Sequence, residues 1–84
     1  MSTFRPHARH DAEADAIYVV LSEADVARSH SLDDLRVIDY SADGRVAGVE
    51  FLGVAGGVDL SDVPHSQKVE KAIGDLNLGI KVFA

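Results

Sequence analysis

The acidic segment Asp11-Ala12-Glu13-Ala14-Asp15 has a spacing of carboxylates that could bind calcium. Alternate oxygen ligands in a short loop can converge on one hard cation. A calcium loop also needs glycine at its sixth position and a bidentate carboxylate at its twelfth, where this chain has Ala16 and Ser22. We therefore expect no calcium and interpret the segment as a solvated turn whose carboxylates accept hydrogen bonds from backbone amides.

The histidines do not have the spacing of a metal site. His7 and His10 would lie on opposite faces of a strand, and Pro6 disfavours the helix on which both could reach one metal. His30 and His65 are isolated in the sequence. The sequence predicts no metal ligand.

Motifs for a nucleophile or a bound phosphate are also missing. No serine stands in a G-x-S-x-G or S-x-x-K setting. The segment Gly53-x-x-Gly56-Gly57 lacks the lysine of a P-loop and the G-x-G-x-x-G spacing of a dinucleotide site, so we interpret it as a flexible connection. We expect no catalytic residue, no cofactor and no enzyme activity.

Asp39 is the one carboxylate with two interpretations. It follows Val37 and Ile38 in an apolar strand, on the face that we predict to line the core. A carboxylate there would have a perturbed pKa and would be a candidate acid or base. We favour the alternative, in which Asp39 lies at the end of the sheet and accepts hydrogen bonds from the adjacent turn.

The charge of the chain restricts its partners. Its 84 residues include 14 acids, eight lysines and arginines and no cysteine, which gives a net charge of -6. Nine of the acids lie between Asp11 and Asp43, and such a field disfavours binding to nucleic acid or an anionic membrane. A basic protein is the electrostatically favoured partner. No apolar run approaches the ~20 residues of a membrane helix, and no signal segment is evident, so we expect a cytoplasmic protein.

Short apolar segments predict the first strands. Phe4 to His10 is extended, Ala16 to Leu21 is a strand, and Val26 to Leu32 is a weaker strand at a sheet edge. Both faces of the second strand are apolar, with Ile17, Val19 and Leu21 on one and Tyr18 and Val20 on the other.

A hairpin is predicted around Ser41-Ala42-Asp43-Gly44, with Gly44 in the left-handed conformation. If Ser41 faces Arg45, the register divides the strand residues between two faces. The predicted core face has Leu35, Val37, Asp39, Ala47, Val49 and Phe51, and the other has Arg36, Ile38, Tyr40, Val46, Gly48 and Glu50. In this register Arg36 faces Glu50 as a cross-strand ion pair.

A helix from Ser66 to Leu76 is predicted after the turn at Leu60 to Pro64, and Ile80 to Phe83 forms a last short strand. The helix has a single apolar stripe, made of Val69, Ala72, Ile73 and Leu76. The predicted fold class is α+β: a small antiparallel sheet of about four to six strands, built from hairpins, with one C-terminal helix packed on one face. Residues 1–84 form one domain, with a core at about 8–60 and a helix-and-strand extension at 61–84.

Two motifs in the chain resemble those of the DUF2283 family. Members of that family have a D-x-E-A-D-A-hydrophobic strand followed by an I-D-Y-x-x-D-G-R-hydrophobic-x-G-hydrophobic-E hairpin, matched here by Asp11 to Ile17 and Ile38 to Glu50. The resemblance covers about residues 8–60, and His10 departs from it because many relatives have an aromatic residue there. It implies a fold but no activity, so no catalytic or binding residue is transferred to this chain.

We expect a non-enzymatic interaction domain that forms a homodimer. One helix can cover only one face of the sheet, and a second copy would cover the other, where we place Tyr18, Val20, Ile38, Tyr40 and Val46. The alternative is an antitoxin-like protein that binds a small basic toxin encoded by a neighbouring gene. This alternative is implied by gene arrangements in the resembled family and by the acidic charge. A small enzyme or ligand carrier has the least support.

Overall fold

The computed structural model describes residues 4–84 as a five-stranded antiparallel sheet with one helix packed on it, which confirms the predicted α+β class. The elements are β1 (His7–Asp11), β2 (Ala16–Val20), β3 (Arg28–Asp33), β4 (Arg36–Tyr40), β5 (Val46–Leu52), β6 (Val58–Asp59), α1 (Ser66–Gly74) and β7 (Val82–Phe83). A short 3-10 turn, Val54–Gly56, follows β5.

The strand order in the sheet is β1-β2-β5-β4-β3. The chain forms a β1–β2 hairpin and a β3–β4–β5 meander, and these join through antiparallel pairing of β2 with β5. The edge strands are β1 and β3, and the second of these lies at the edge that its weak apolar pattern predicts. The central strand is therefore β5, which carries residues 46–52.

The core lies between α1 and one face of the sheet. Val69, Ala72 and Ile73 of the predicted helix stripe are buried in it, and Leu76 packs at its margin. The sheet contributes Ile17, Val19, Ile38, Val49 and Phe51 to the same cluster, all at most 1% exposed. The helix ends at Gly74, two residues before the predicted end, and Asn77 then has a left-handed backbone.

The C-terminal extension is attached to the sheet by Arg36, which is buried. Its guanidinium donates to the Asp33 carboxylate at 2.8 and 3.1 Å and to the carbonyls of Asp59 and Ser61 at 3.1 and 2.5 Å. Burial by itself opposes a charged group, and these bonds offset that cost. The predicted pairing of Arg36 with Glu50 is wrong, since Arg36 lies opposite Phe51.

The last strand does not join the main sheet. Instead, β7 pairs in parallel with β6, next to the 3-10 turn. Backbone bonds from Val58 to Lys81 and from Leu60 to Phe83 hold this pair together, at 2.8 and 2.7 Å. The ring of Phe83 lies against Gly57, whose positive φ of 112° and missing side chain permit that approach.

A β-bulge changes the predicted register of β4 against β5. The turn itself is as predicted. The Ser41 amide donates a hydrogen bond to the Arg45 carbonyl at 2.9 Å, Gly44 has a φ of 86°, and Tyr40 pairs with Val46. The pairing then shifts by one residue, so that Asp39 lies opposite Gly48 and not Ala47. The extra residue is Ala47, whose carbonyl accepts hydrogen bonds from the amides of residues 21 and 22.

This shift exchanges the predicted faces of β4. Ile38 lies in the core, 1% exposed, and Tyr40 and Val46 pack against the same cluster, so the prediction that they lie on the uncovered face is wrong. Val37 and Asp39 lie on the opposite face, and Leu35 is 54% exposed in the β3–β4 turn. None of these three lines the core. A one-residue slip in pairing moves every side chain beyond it to the other face.

Candidate functional site

The candidate functional site of the described chain lies on the sheet face turned away from α1, which we call the open face. Its strand positions follow from the register and from the alternation of side chains. They are His7, Arg9, Asp11, Ala16, Tyr18, Val20, Ser29, Ser31, Val37, Asp39, Gly48, Glu50 and Leu52. No helix of the described chain packs on this face.

Tyr18 is the centre of a hydrogen-bonded network on the open face. Its hydroxyl donates to Oδ2 of Asp39 at 2.8 Å, and the Ser29 hydroxyl donates to Oδ1 at 2.5 Å. Tyr18 lies on β2 and Asp39 on β4, so the tyrosine side chain crosses β5 to reach its acceptor. The network thereby ties together β2, β4 and β3.

Gly48 makes that crossing possible. A Cβ at this position would collide with the Tyr18 hydroxyl and ring and with the Val19 carbonyl. The β-bulge at Ala47 is what places Gly48, and not a larger residue, between Tyr18 and Asp39. A glycine inside a strand is the sequence signal for such a close approach. It marks the position of the approach but not the side chain that makes it, and the apolar pattern alone treats Tyr18 as a packing residue.

The environment of Tyr18 raises its pKa well above the ordinary value. Burial is the main cause, followed by the hydrogen bond to Asp39 and the charge of that carboxylate, while the positive charge of Arg9 acts in the opposite direction. The hydroxyl is therefore protonated at neutral pH and acts as a donor. Both Asp39 oxygens accept hydrogen bonds from side chains, so the predicted bonding to the adjacent turn is wrong.

Two charged residues flank Tyr18 in one row across the sheet. Arg9 pairs with Tyr18 across β1 and β2, and Glu50 pairs with it across β2 and β5. The Arg9 guanidinium lies 5.8 Å from the centroid of the tyrosine ring, a cation–π distance. Glu50 is half-buried and forms no ion pair or hydrogen bond with another described residue. This row borders a depression of about 270 Å³ that also contacts Asp11 and Leu52.

The acidic segment of residues 11–15 forms the β1–β2 turn. Asp11 Oδ1 accepts a hydrogen bond from the Ala14 amide at 3.2 Å. Asp15 has a φ of 51°. Its carbonyl accepts a hydrogen bond from the Val54 amide at 3.1 Å, and its carboxylate accepts one from the Ala55 amide at 2.9 Å. These carboxylates thus cap backbone amides, as the turn interpretation predicts.

The remaining sequence candidates are dispersed. His7 and His10 lie on β1, His30 is on β3 at the far edge, and His65 precedes α1. Within residues 4–84 no group of three or more His, Asp or Glu side chains is arranged to hold a metal ion. Gly53 precedes the 3-10 turn between β5 and β6, and Gly56 is the last residue of that turn. None of the helices in the described part of the chain has the length and apolar character needed to cross a membrane.

Comparison with known proteins identifies one family. A family model described as a protein of unknown function, DUF2283, matches residues 8–54. This range includes every open-face position except His7 and ends before the C-terminal extension. Searches of curated proteins and of solved structures found no significant match.

Proposed function

The chain belongs to the DUF2283 family of proteins of unknown function, and we propose that it is a non-enzymatic interaction domain that forms a homodimer through its open face. The observation that carries the proposal is the asymmetry of the sheet. One face is buried under α1, whereas the other keeps Val20, Val37 and Leu52 half-buried beside Tyr18.

The chemistry of the open face supports binding over catalysis. The Tyr18 hydroxyl is held protonated and donates to Asp39, and Asp39 also accepts from Ser29, so both groups form their hydrogen bonds within the chain. The same bonds hold the side chains in one arrangement before any partner binds. A preorganised surface loses less side-chain entropy on association.

The size of the chain supports the same proposal. A domain of 84 residues buries only about 60 to 65% of the surface that its unfolded chain exposes. An interface of about 800 Å² per subunit would add apolar burial and would stabilise the folded state by mass action. Face-to-face pairing of two identical sheets is also compatible with two-fold symmetry.

Light scattering at micromolar concentration tests the proposal directly. The wild type should have about twice the 9.0 kDa chain mass, and Val20→Glu should shift it toward a monomer. Val26→Glu is the matched control, because Val26 is already 48% exposed in the loop before β3. A monomeric wild type, or equal effects of the two substitutions, would contradict the proposal. Ile38→Glu is unsuitable as a probe because it places a charge in the core.

A second candidate function follows from the acidic charge. Exposed acids include Glu13, Glu23, Asp25, Asp34 and Asp43, and this surface favours a basic protein as a heterologous partner. An antitoxin-like protein in the cytoplasm, bound to a small basic toxin from a neighbouring gene, would use it. Co-expression with the adjacent reading frame, followed by purification of an untagged pair, tests this alternative. Recovery of the chain alone would count against it.

A further inference from the structure

We propose that two reciprocal ion pairs, each between Arg9 of one protomer and the partner's Glu50, set the register of the dimer. This inference rests on the proposed dimerisation through the open face. It concerns how two copies recognise each other, and it commits to a two-fold axis that passes close to Tyr18.

The placement of the charges carries this inference. Arg9, Tyr18 and Glu50 lie in one row on three neighbouring strands, with the tyrosine in the middle. Adjacent strands are about 4.8 Å apart, so the backbone positions of Arg9 and Glu50 lie at about equal distances on either side of the Tyr18 position in β2. From the edge of the sheet inward, the row therefore contains a positive, an aromatic and a negative residue, in that order.

Two-fold symmetry makes that order complementary to itself. The axis runs parallel to β2 at Tyr18 and lies between the two facing copies. Rotation about it places each row opposite the partner's row, with the order of the three residues reversed. Arg9 then faces the partner's Glu50, and Glu50 faces the partner's Arg9. One ion pair implies the second, as in any isologous interface.

The other charges of the open face do not compete for these roles. Arg9 is the only lysine or arginine among the strand positions of this face in residues 4–84. Asp39 accepts bonds from Tyr18 and Ser29, and Asp11 accepts the amide of Ala14. Glu50, by contrast, has no hydrogen-bonding partner and no ion-paired cation among residues 4–84.

Burial makes the pairing necessary. An interface through the open face would remove Glu50 from water, and an unpaired buried carboxylate opposes association strongly. A cation from the partner offsets that cost, and arginine suits the role because its planar guanidinium donates two parallel bonds to a carboxylate.

Charge reversal with mixing of the variants tests the inference. Arg9→Glu gives a row with two acids, and Glu50→Arg gives a row with two bases, so each variant alone should dissociate at least tenfold more readily than wild type. Mixed in equal amounts, they should form a heterodimer with an affinity within about threefold of the wild-type homodimer. Native mass spectrometry distinguishes the heterodimer from both homodimers if one variant carries a stable-isotope label.

The mixture distinguishes pairing between protomers from coupling within one protomer. Only contacts between copies can restore association when the two substitutions are on different chains. Arg28→Glu is the control for Arg9→Glu, since Arg28 is also an edge-strand arginine over a tyrosine ring, 5.0 Å from the centroid of Tyr40, on the other face. It should leave dimerisation unchanged, as should Glu70→Arg on the exposed side of α1.

The outcomes separate this inference from the proposed function. A wild-type dimer that Val20→Glu disrupts, but whose charge-reversed variants fail to form the heterodimer, would overturn the ion pairs and leave the open face as the interface. A wild-type monomer would overturn both. Folding of each variant is checked by circular dichroism. If a single variant is unfolded, Arg9→Gln and Glu50→Gln replace the reversals, and the inference then requires each to weaken the dimer at least threefold.

Discussion

The Tyr18 hydroxyl donates a 2.8 Å hydrogen bond to Asp39 across the intervening strand β5. The bond joins two strands that share no backbone pairing. It depends on Gly48, since any side chain at that position would occupy the path of the tyrosine ring. The polar centre of the open face is therefore a product of three residues from three strands.

Tyr18→Phe should lower the free energy of unfolding by about 1 to 2 kcal/mol at neutral pH, because a hydrogen bond to a charged acceptor is lost and the ring is retained. Chemical denaturation measures the change. Ser31→Ala, on the same face but with no side-chain hydrogen bond to Asp39, is the control and should change stability by less than about 0.5 kcal/mol.

The raised pKa of Tyr18 also predicts a dependence on alkaline pH. The folded state favours the protonated hydroxyl, so its contribution to stability is complete below the ordinary tyrosine pKa of 10.0 and decreases as the pH rises above it. The difference in unfolding free energy between wild type and Tyr18→Phe should therefore shrink above pH ~10. A difference that stays constant up to pH ~11 would contradict the assigned hydrogen bond.

Gly48→Ala should destabilise the fold by about 1 to 3 kcal/mol, the range typical of overpacking. The added methyl group meets the Tyr18 side chain and the Val19 carbonyl, and the carbonyl cannot move without distorting β2. Gly56→Ala is the matched control, because a Cβ there meets nothing within 4 Å and its φ lies outside the left-handed region. Equal thermal stability of the two variants would show that Tyr18 does not cross β5.

Gly44→Val should cost about 1 to 2 kcal/mol. Gly44 has a φ of 86° in the β4–β5 turn, and a β-branched residue enters that region with steric strain. Ala42→Gly, in the same turn, should cost much less. Urea denaturation of both variants checks the expectation, and indistinguishable midpoints would argue against the assigned turn.

Arg36→Met should release the C-terminal extension from the sheet and lower stability by about 2 to 4 kcal/mol. The substitution keeps an apolar stem but leaves the carbonyls of Asp59 and Ser61 without their donor. Hydrogen exchange should accelerate at the amides of Val58 and Leu60. Arg45→Met, at a side chain that is 84% exposed, is the control and should leave exchange in this region unchanged.

Local pattern in the sequence determines most of the secondary structure. A short apolar segment predicts β2, the stripe around Val69 predicts α1, and the Asp43-Gly44 turn predicts where β4 and β5 meet. These features depend on neighbours in the chain, so the residue types carry the information. The same local signals predict that carboxylates of the acidic turn cap backbone amides, as Asp11 does for Ala14, whereas the partner of Asp15, the amide of Ala55, comes from a distant part of the chain.

Tertiary structure decides which face each residue occupies. The β-bulge at Ala47 forms where its carbonyl accepts two amides that follow β2, a long-range contact that no local pattern specifies. That one extra residue moves Ile38 into the core and Asp39 onto the open face. The Tyr18–Asp39 bond and the row from Arg9 to Glu50 exist only after the strands β1, β2, β5 and β4 have assembled. Side-chain alternation has a period of two, so a single-residue change in register reverses every assignment beyond it.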